Sequence, residues 1–218
     1  MKPTSTDFAA ERVQMVERQL KARGIRNPLV LQAMLEIPRE EFIPPALRAL
    51  SYADEPVSIG WGQTISQPYI TALMAECLEL KGTETVLEVG AGSGYHAAVL
   101  GALARQVYAI ELIPELAAQA RENLQRIGRA NNITILCGDG SVGCLEYAPF
   151  DAISVAAAAP EVPIPLLEQL KDPGKLVIPI GSLADQELRV FTKSEGKITS
   201  RVATYCRFVP LRGAEGWP

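Results

Sequence analysis

Three glycines spaced two apart, Gly90, Gly92 and Gly94, lie in the run Val86-Leu-Glu-Val-Gly-Ala-Gly-Ser-Gly-Tyr-His96, where an apolar stretch gives way to a helical pattern. Glycine lets the backbone come close to a ligand, and the first turn of a helix offers unpaired N–H groups. In an open parallel sheet, ligands bind at such strand ends. A dinucleotide site asks for G-x-G-x-x-G, and the position of its third glycine is held here by Tyr95. The spacing therefore predicts a nucleoside ligand without a pyrophosphate.

Two carboxylates extend this reading. Glu111 falls 21 residues after Gly90, at the end of the next apolar run, where an acid accepts hydrogen bonds from ribose hydroxyls. Asp139, in Cys-Gly-Asp-Gly140, follows the third run, within reach of an adenine amino group. Either acid taken alone is equally a solvated strand end or a turn former. Ser66, just ahead of Pro68, is either a reacting-group contact or a helix cap. His96 is the only histidine, so a histidine base beside a Ser or Cys nucleophile must be His96; its place on a first helical turn reads as surface or capping, and no role is assigned to it. Trp61, between Gly60 and Gly62, is either a mobile lid or a core-packed indole. Cys77, Cys137, Cys144 and Cys206 lack C-x-x-C spacing. They read as buried free thiols, and no metal site is expected.

These groups need elements to hold them. The chain has 218 residues, 48% hydrophobic and 21% charged, enough for one compact domain. The formal charge of −4, without long runs of one sign, argues against a grip on nucleic acid or anionic lipid. The N-terminus MKPTSTDFAA lacks a signal pattern and no membrane-spanning run occurs, so a cytoplasmic protein is expected. Helical spacing over Phe8, Val13, Val16 and Leu20 stops at Gly24; Asn27 caps a second helix closed by Pro38. An extended glycine-containing segment, Ile59–Ser66, precedes a helix from Pro68 through Leu80. Strands fit Thr85–Val89, Val107–Glu111, Ile133–Cys137, Ala152–Ala156 and Leu176–Ile180, alternating with helices over Tyr95–Ala104, Pro114–Ile127 and Pro163–Leu170. Alternation of this kind predicts a parallel sheet with helices on both faces. Glu187–Lys193 and Lys197–Pro210 flank Ser194-Glu-Gly196 and read as an antiparallel hairpin. Residues 1–82 are thus expected to form a helical cap and covering segment, and 83–218 the α/β body.

At this point the sequence resembles the class I S-adenosylmethionine-dependent methyltransferases and, within them, the protein-L-isoaspartate O-methyltransferase family. The resemblance rests on Gly62-Gln-Thr-Ile-Ser-Gln-Pro-Tyr69, Leu87-Glu-Val-Gly-Ala-Gly-Ser-Gly-Tyr95, Gly138-Asp-Gly140, Pro149-Phe-Asp-Ala-Ile153, Leu176-Val-Ile-Pro-Ile-Gly181 and Arg207-Phe-Val-Pro-Leu211. The glycine turn alone indicates only the superfamily; Thr-Ile-Ser-Gln-Pro is what points to the narrower family. The resemblance implies a Rossmann-like seven-stranded, mostly parallel sheet with a C-terminal antiparallel hairpin and an N-terminal helical cap. It implies repair of aged proteins, in which the α-carboxylate of an L-isoaspartyl residue is methylated by S-adenosyl-L-methionine, leaving S-adenosyl-L-homocysteine. By resemblance, Ser66 is the active-site serine. Glu88, Gly90, Gly92 and Gly94 form the methionine-side turn, Glu111 faces the ribose, Asp139 and Gly140 the adenine, and Thr64, Ile65 and Leu112 border the cofactor. Ser66, Val209, Pro210 and Leu211 would border the peptide. The chain departs from the family pattern at Trp61, His96 and Ser154–Ala158. The expected partners are isoaspartyl peptides and proteins, with no nucleic acid or membrane, and the expected state is a monomer.

The chemistry suits the residue inventory. An α-carboxyl with a pKa of about 3.5 is ionised at neutral pH, so its methylation needs no general base. A lysine amine would need one, or desolvation. Orientation of two bound reactants can lower the barrier by about 7–11 kcal/mol, so alignment and exclusion of water should dominate. From the residues alone, methylation of another acceptor and a cofactor-binding scaffold without activity stay open; a nicotinamide oxidoreductase is disfavoured by Tyr95.

Overall fold

The computed structural model describes residues 7–217. The first six residues, on which the signal reading and part of the 1–82 cap assignment fall, and Pro218 lie outside the described residues. Helix α1 (Phe8–Met15) is capped by the Asp7 carboxylate, which accepts from Ala10 N, and continues through a π turn over Val16–Leu20. Gly24 ends this stretch in the left-handed region, φ 96°. The Asn27 side chain accepts from Leu29 N to cap α2 (Pro28–Glu36), with Pro28 in the first turn where its missing N–H costs nothing. A two-stranded hairpin follows, β1 (Val57–Gly60) against β2 (Gln63–Ile65), and then α3 (Pro68–Cys77).

The body holds β3 (Thr85–Val89), α4 (Tyr95–Gly101), β4 (Gln106–Glu111), α5 (Pro114–Arg126), β5 (Ile133–Cys137), β6 (Phe150–Val155), α6 (Ile164–Glu168), β7 (Leu170–Gly181), β8 (Gln186–Ser194) and β9 (Lys197–Cys206). The sheet has seven strands in the order β5-β4-β3-β6-β7-β8-β9; pairings from β5 to β7 are parallel, those of β7–β8 and β8–β9 antiparallel. The expected α/β class and antiparallel end are thus present. Chain order runs outward from β3 on one side and restarts at β6 on the other. The loop after β3 therefore opens into the crevice where such sheets receive ligands.

The central strands are buried on both faces, and alternate residues serve two apolar clusters. Val86, Val107, Ala109, Ala152 and Val177 join one that includes α4, α5 and the N-terminal helices. Leu87, Val89, Ile153, Leu176 and Ile178 join the other, with Phe150 and Leu166. Five helices thus share one cluster, and α6 serves the other, a less even cover than alternation suggested.

Element boundaries differ from expectation in several places. Helix α3 ends at Cys77 rather than Leu80, and Glu79 follows at φ 54°. Helix α4 ends at Gly101 rather than Ala104, and α6 is confined to Ile164–Glu168. Strand β7 starts at Leu170, well before Leu176, because a bulge absorbs Asp172–Gly174 and Phe150 pairs with Leu170. Strand β9 stops at Cys206, and the chain from Arg207 leaves the sheet to form part of the cavity wall described below. The β8–β9 turn is Glu195-Gly196, at φ 53° and 72°, the conformation that matches hairpin twist; the Asp172 carboxylate accepts from both N–H groups. All four cysteines are free, yet only Cys77 is buried; Cys137 is exposed and Cys144 and Cys206 are half-buried, correcting the expectation of four buried thiols. No helix among the described residues is long and apolar enough to cross a membrane.

Candidate active site

The glycine turn adopts the conformation its composition allows. Gly90, Gly92 and Gly94 have φ of 88°, 53° and 88°, where a side chain would be strained. A Cβ on Gly94 would lie 3.2 Å from that of Ala120, and one on Gly92 3.2 Å from Ile59 Cδ1. Gly90 N and Ala91 N donate to the Ile110 carbonyl at 2.8 and 3.1 Å, folding the turn over the end of β4. Gly92 N donates to Glu111 Oε2 at 2.8 Å, and Ile113 N to Oε1 at 3.0 Å. The buried Glu111 carboxylate thus fixes both loops.

Tyr95, at the position a dinucleotide turn gives to glycine, is 1% exposed. Its ring meets Phe42 edge-on at 5.5 Å, the Arg39 guanidinium lies 4.9 Å from its centroid, and its hydroxyl donates to Met34 Sδ at 3.7 Å. Here the side chain binds the N-terminal helices to the body, which is why a third glycine is absent.

A cavity of about 270 Å³ opens over the turn. Its wall includes Glu88, Gly90, Gly92, Glu111, Leu112 and Gly140 from the body, Thr64, Ile65 and Ser66 from the hairpin side, and Val209, Pro210 and Leu211 from the C-terminal segment. The structure therefore brings together every expected site residue except two. Gly94 sits behind the wall as the N-cap of α4. Asp139 is also off the wall: its Oδ1 accepts from Ser141 N and Oγ at 2.8 and 2.7 Å, and its Oδ2 from Ala214 N at 2.8 Å. Its carboxylate caps the turn that carries Gly140 and ties down the C-terminal segment. Partial burial alone would raise its pKa, but the bonds from the Ser141 hydroxyl and the two N–H groups outweigh this and hold it below the usual aspartate value.

At three single residues the geometry removes one of the alternatives. The N-cap position of α3 is Gln67, so Ser66 stands one residue outside the helix and is not its cap. The Ser66 carbonyl accepts from Arg39 Nη2 at 2.7 Å. Trp61 is 54% exposed at the hairpin tip, with φ 49°, and lines the cavity; it is not core-packed. His96 corrects the surface reading: it is 9% exposed, faces the cavity, and has Nδ1 3.4 Å from Glu88 Oε1. Helix α4 is sandwiched under the N-terminal helices, which leaves its first turn no outer face.

Glu88 shows what the cavity is built to receive. It is fully buried and both carboxyl oxygens lack a hydrogen-bond partner among the described residues. Burial and the neighbouring Glu111 carboxylate raise its pKa well above the usual range. A wall carrying two acids, one of them orphaned, asks for a cationic ligand with hydroxyls, and these residues fit S-adenosylmethionine: an ammonium for Glu88, ribose hydroxyls for Glu111 and apolar Leu112 and Ile110 for the base.

A second cavity of about 250 Å³ shares Thr64, Ser66, Ala156 and Val209 with the first. Tyr69, Tyr205 and Arg207 belong to it, as does Arg23, whose guanidinium stacks 3.6 Å from the Tyr69 centroid and pairs with Asp54 at 3.2 Å. Sequence reasoning missed these residues and Arg39. Nothing in local spacing signals them, since they come from separate elements. Chemically, the arrangement offers two cavities that meet at Ser66.

Comparison with known proteins agrees. The protein-L-isoaspartate(D-aspartate) O-methyltransferase (PCMT) family profile matches residues 10–216. Protein-L-isoaspartate O-methyltransferase 2 of Marinobacter nauticus is 52% identical over 220 residues, covering 100% of both chains. A solved protein-L-isoaspartate O-methyltransferase superposes with a TM-score of 0.83 at 32% identity, over 94% of this chain and 67% of its own. A Plasmodium falciparum structure described as a PCMT in complex with S-adenosyl-L-homocysteine gives 0.78 at 30% identity, over 91% and 97%.

Proposed function

The chain belongs to the protein-L-isoaspartate O-methyltransferase family, and from that premise we propose how its residues divide the work. The enzyme transfers a methyl group from S-adenosyl-L-methionine to the α-carboxylate of L-isoaspartyl residues in damaged proteins and peptides. The cofactor supplies an electrophilic methyl on a sulfonium. Glu88 would receive its amino-acid end, the Gly90–Gly94 turn, free of side chains, would let it lie close against the backbone, Glu111 would hold the ribose, and Leu112 and Gly140 would border the adenine, with Asp139 acting by fixing that turn. Thr64 and Ile65 close the near side.

Ser66 donates a hydrogen bond that orients the acceptor carboxylate, while Val209, Pro210 and Leu211 border the peptide. No residue needs to remove a proton from an acid already ionised at neutral pH. Of the expected 1–82 covering segment, residues 7–82 act as the cover that excludes water from the reacting pair. The observation that carries this reading is that two cavities meet at Ser66. We further propose a cytoplasmic monomer that engages neither nucleic acid nor membrane, a reading supported by the formal charge of −4.

Labelled cofactor incubated with paired peptides that differ only in Asp or isoAsp tests the assignment. Label should appear in the isoAsp peptide alone, in a base-labile ester. Equal labelling of both, or labelling of neither, contradicts it.

A further inference from the structure

Two titratable side chains on the cavity floor have no part in the transfer itself. Glu88 ends near the turn on β3, and His96 lies on the first turn of α4, with Nδ1 3.4 Å from Oε1. Both Glu88 oxygens and His96 Nε2 are buried without a partner among the described residues. Three orphaned polar atoms at one spot on a cavity wall are expensive in a folded protein and mark a place completed by something else.

We propose that Glu88 and His96 form a proton relay that couples occupation of the cofactor's amino-acid end to release of one proton. With the cavity free, Glu88 is a carboxylic acid lying 3.4 Å from Nδ1, and the ring proton sits on Nε2. When an ammonium is bound, Glu88 passes its proton to Nδ1, the Nε2 proton leaves to solvent, and Nδ1–H then donates to the carboxylate. The imidazole is neutral before and after, a single proton is lost, and an ammonium–carboxylate pair is gained. A histidine suits this task because tautomer exchange turns one ring nitrogen from acceptor to donor, and a small turn of the ring closes the 3.4 Å separation from the carboxylate.

The surroundings favour the neutral starting pair. Burial pushes His96 down to about 4, and burial together with Glu111 pushes Glu88 up. Glu111 is the charge facing Glu88 from β4. From α3 the wall receives Thr71 and Met74, neither of them charged; Arg212 is an exposed residue of the wall, and the Tyr95 hydroxyl is turned to Met34. The proposal rests on the placement of the cofactor's amino-acid end at Glu88.

The test exploits the fact that His96 is the only histidine, so one imidazole signal reports the relay. Nitrogen NMR of ring-labelled protein at neutral pH should show the Nε2–H tautomer, and saturation with S-adenosylhomocysteine should convert it to Nδ1–H. Calorimetry of the same binding in phosphate and in Tris should give enthalpies that differ by the buffers' ionisation heats times about one proton. Below the free-state titration, affinity should fall about tenfold per pH unit. The desamino analogue should bind without either change, and Glu88→Gln should abolish both. If S-adenosylhomocysteine binds while the tautomer and the buffer dependence stay flat, the relay is wrong and the cofactor assignment stands. If it does not bind at all, both fall.

Discussion

Arg39 Nη2 donates a 2.7 Å hydrogen bond to the backbone carbonyl of Ser66, while its Nε donates at 2.8 Å to the carbonyl of Ser51. The guanidinium is fully buried and has no carboxylate partner among the described residues. It clamps two chain segments at fixed separation beside the reacting serine. Arg39→Met should leave both carbonyls unpaired, lowering stability by about 2–4 kcal/mol in denaturant unfolding. At a temperature where the variant is folded, kcat should fall more than the KM for cofactor rises, because the Ser66 segment loses its anchor.

Ser66→Ala separates orientation from capping. Since Gln67 holds the cap position of α3, the melting temperature should stay within about a degree, while turnover on isoaspartyl peptide drops about 10²-fold, the scale for loss of one aligned donor. A destabilised variant with full activity would contradict this.

Gly94→Ala tests the turn. The left-handed backbone at φ 88° costs an L-residue about 1–2 kcal/mol, and the new Cβ would press on Ala120 at 3.2 Å. Urea unfolding should show a loss of about 2–3 kcal/mol, and calorimetry a weaker grip on S-adenosylhomocysteine.

The Asp139 carboxylate, held below the ordinary 3.8 by its three donors, makes a pH-dependent contribution. A depressed folded-state pKa adds stability above the unfolded value, and that increment disappears as pH falls through the folded value. Stability of the wild type should therefore decline more steeply below pH of about 4 than that of Asp139→Asn. At neutral pH the variant should lose no more than about 1 kcal/mol.

Trp61 projects from a hairpin tip with φ 49° and 54% exposure. Closure over bound cofactor would bury it. Limited proteolysis within residues 57–66 should slow in the presence of S-adenosylhomocysteine; an unchanged cleavage rate would count against closure.

Legibility in the sequence followed how local each signal was. Strands β3 to β5 are mostly apolar runs between turn signals, so β3 and β5 could be read residue by residue and β4 all but its first residue, Gln106. Strand β7 was not, because Asp172-Pro-Gly174 looks like a terminator and is in fact a bulge the strand passes through. The glycine turn and Glu111 were legible because their spacing along one β–α–β unit fixes their separation in space. Arg39 and His96 were not, because burial of a polar side chain depends on what packs across it; Arg39 is closed in by Tyr95 from a segment 56 residues on. Asp139 left two readings open for a different reason. A turn acid can point along either side of its loop, and here Ser141 nearby and Ala214, far along the chain, together hold it.

The wall shared by the two hollows has one more implication. Under the proposed assignment each reactant has its own cavity, and the two share Thr64, Ser66, Ala156 and Val209. A bulky client need not be swallowed: it has only to offer a kinked stretch of main chain at the outer doorway while its mass stays outside.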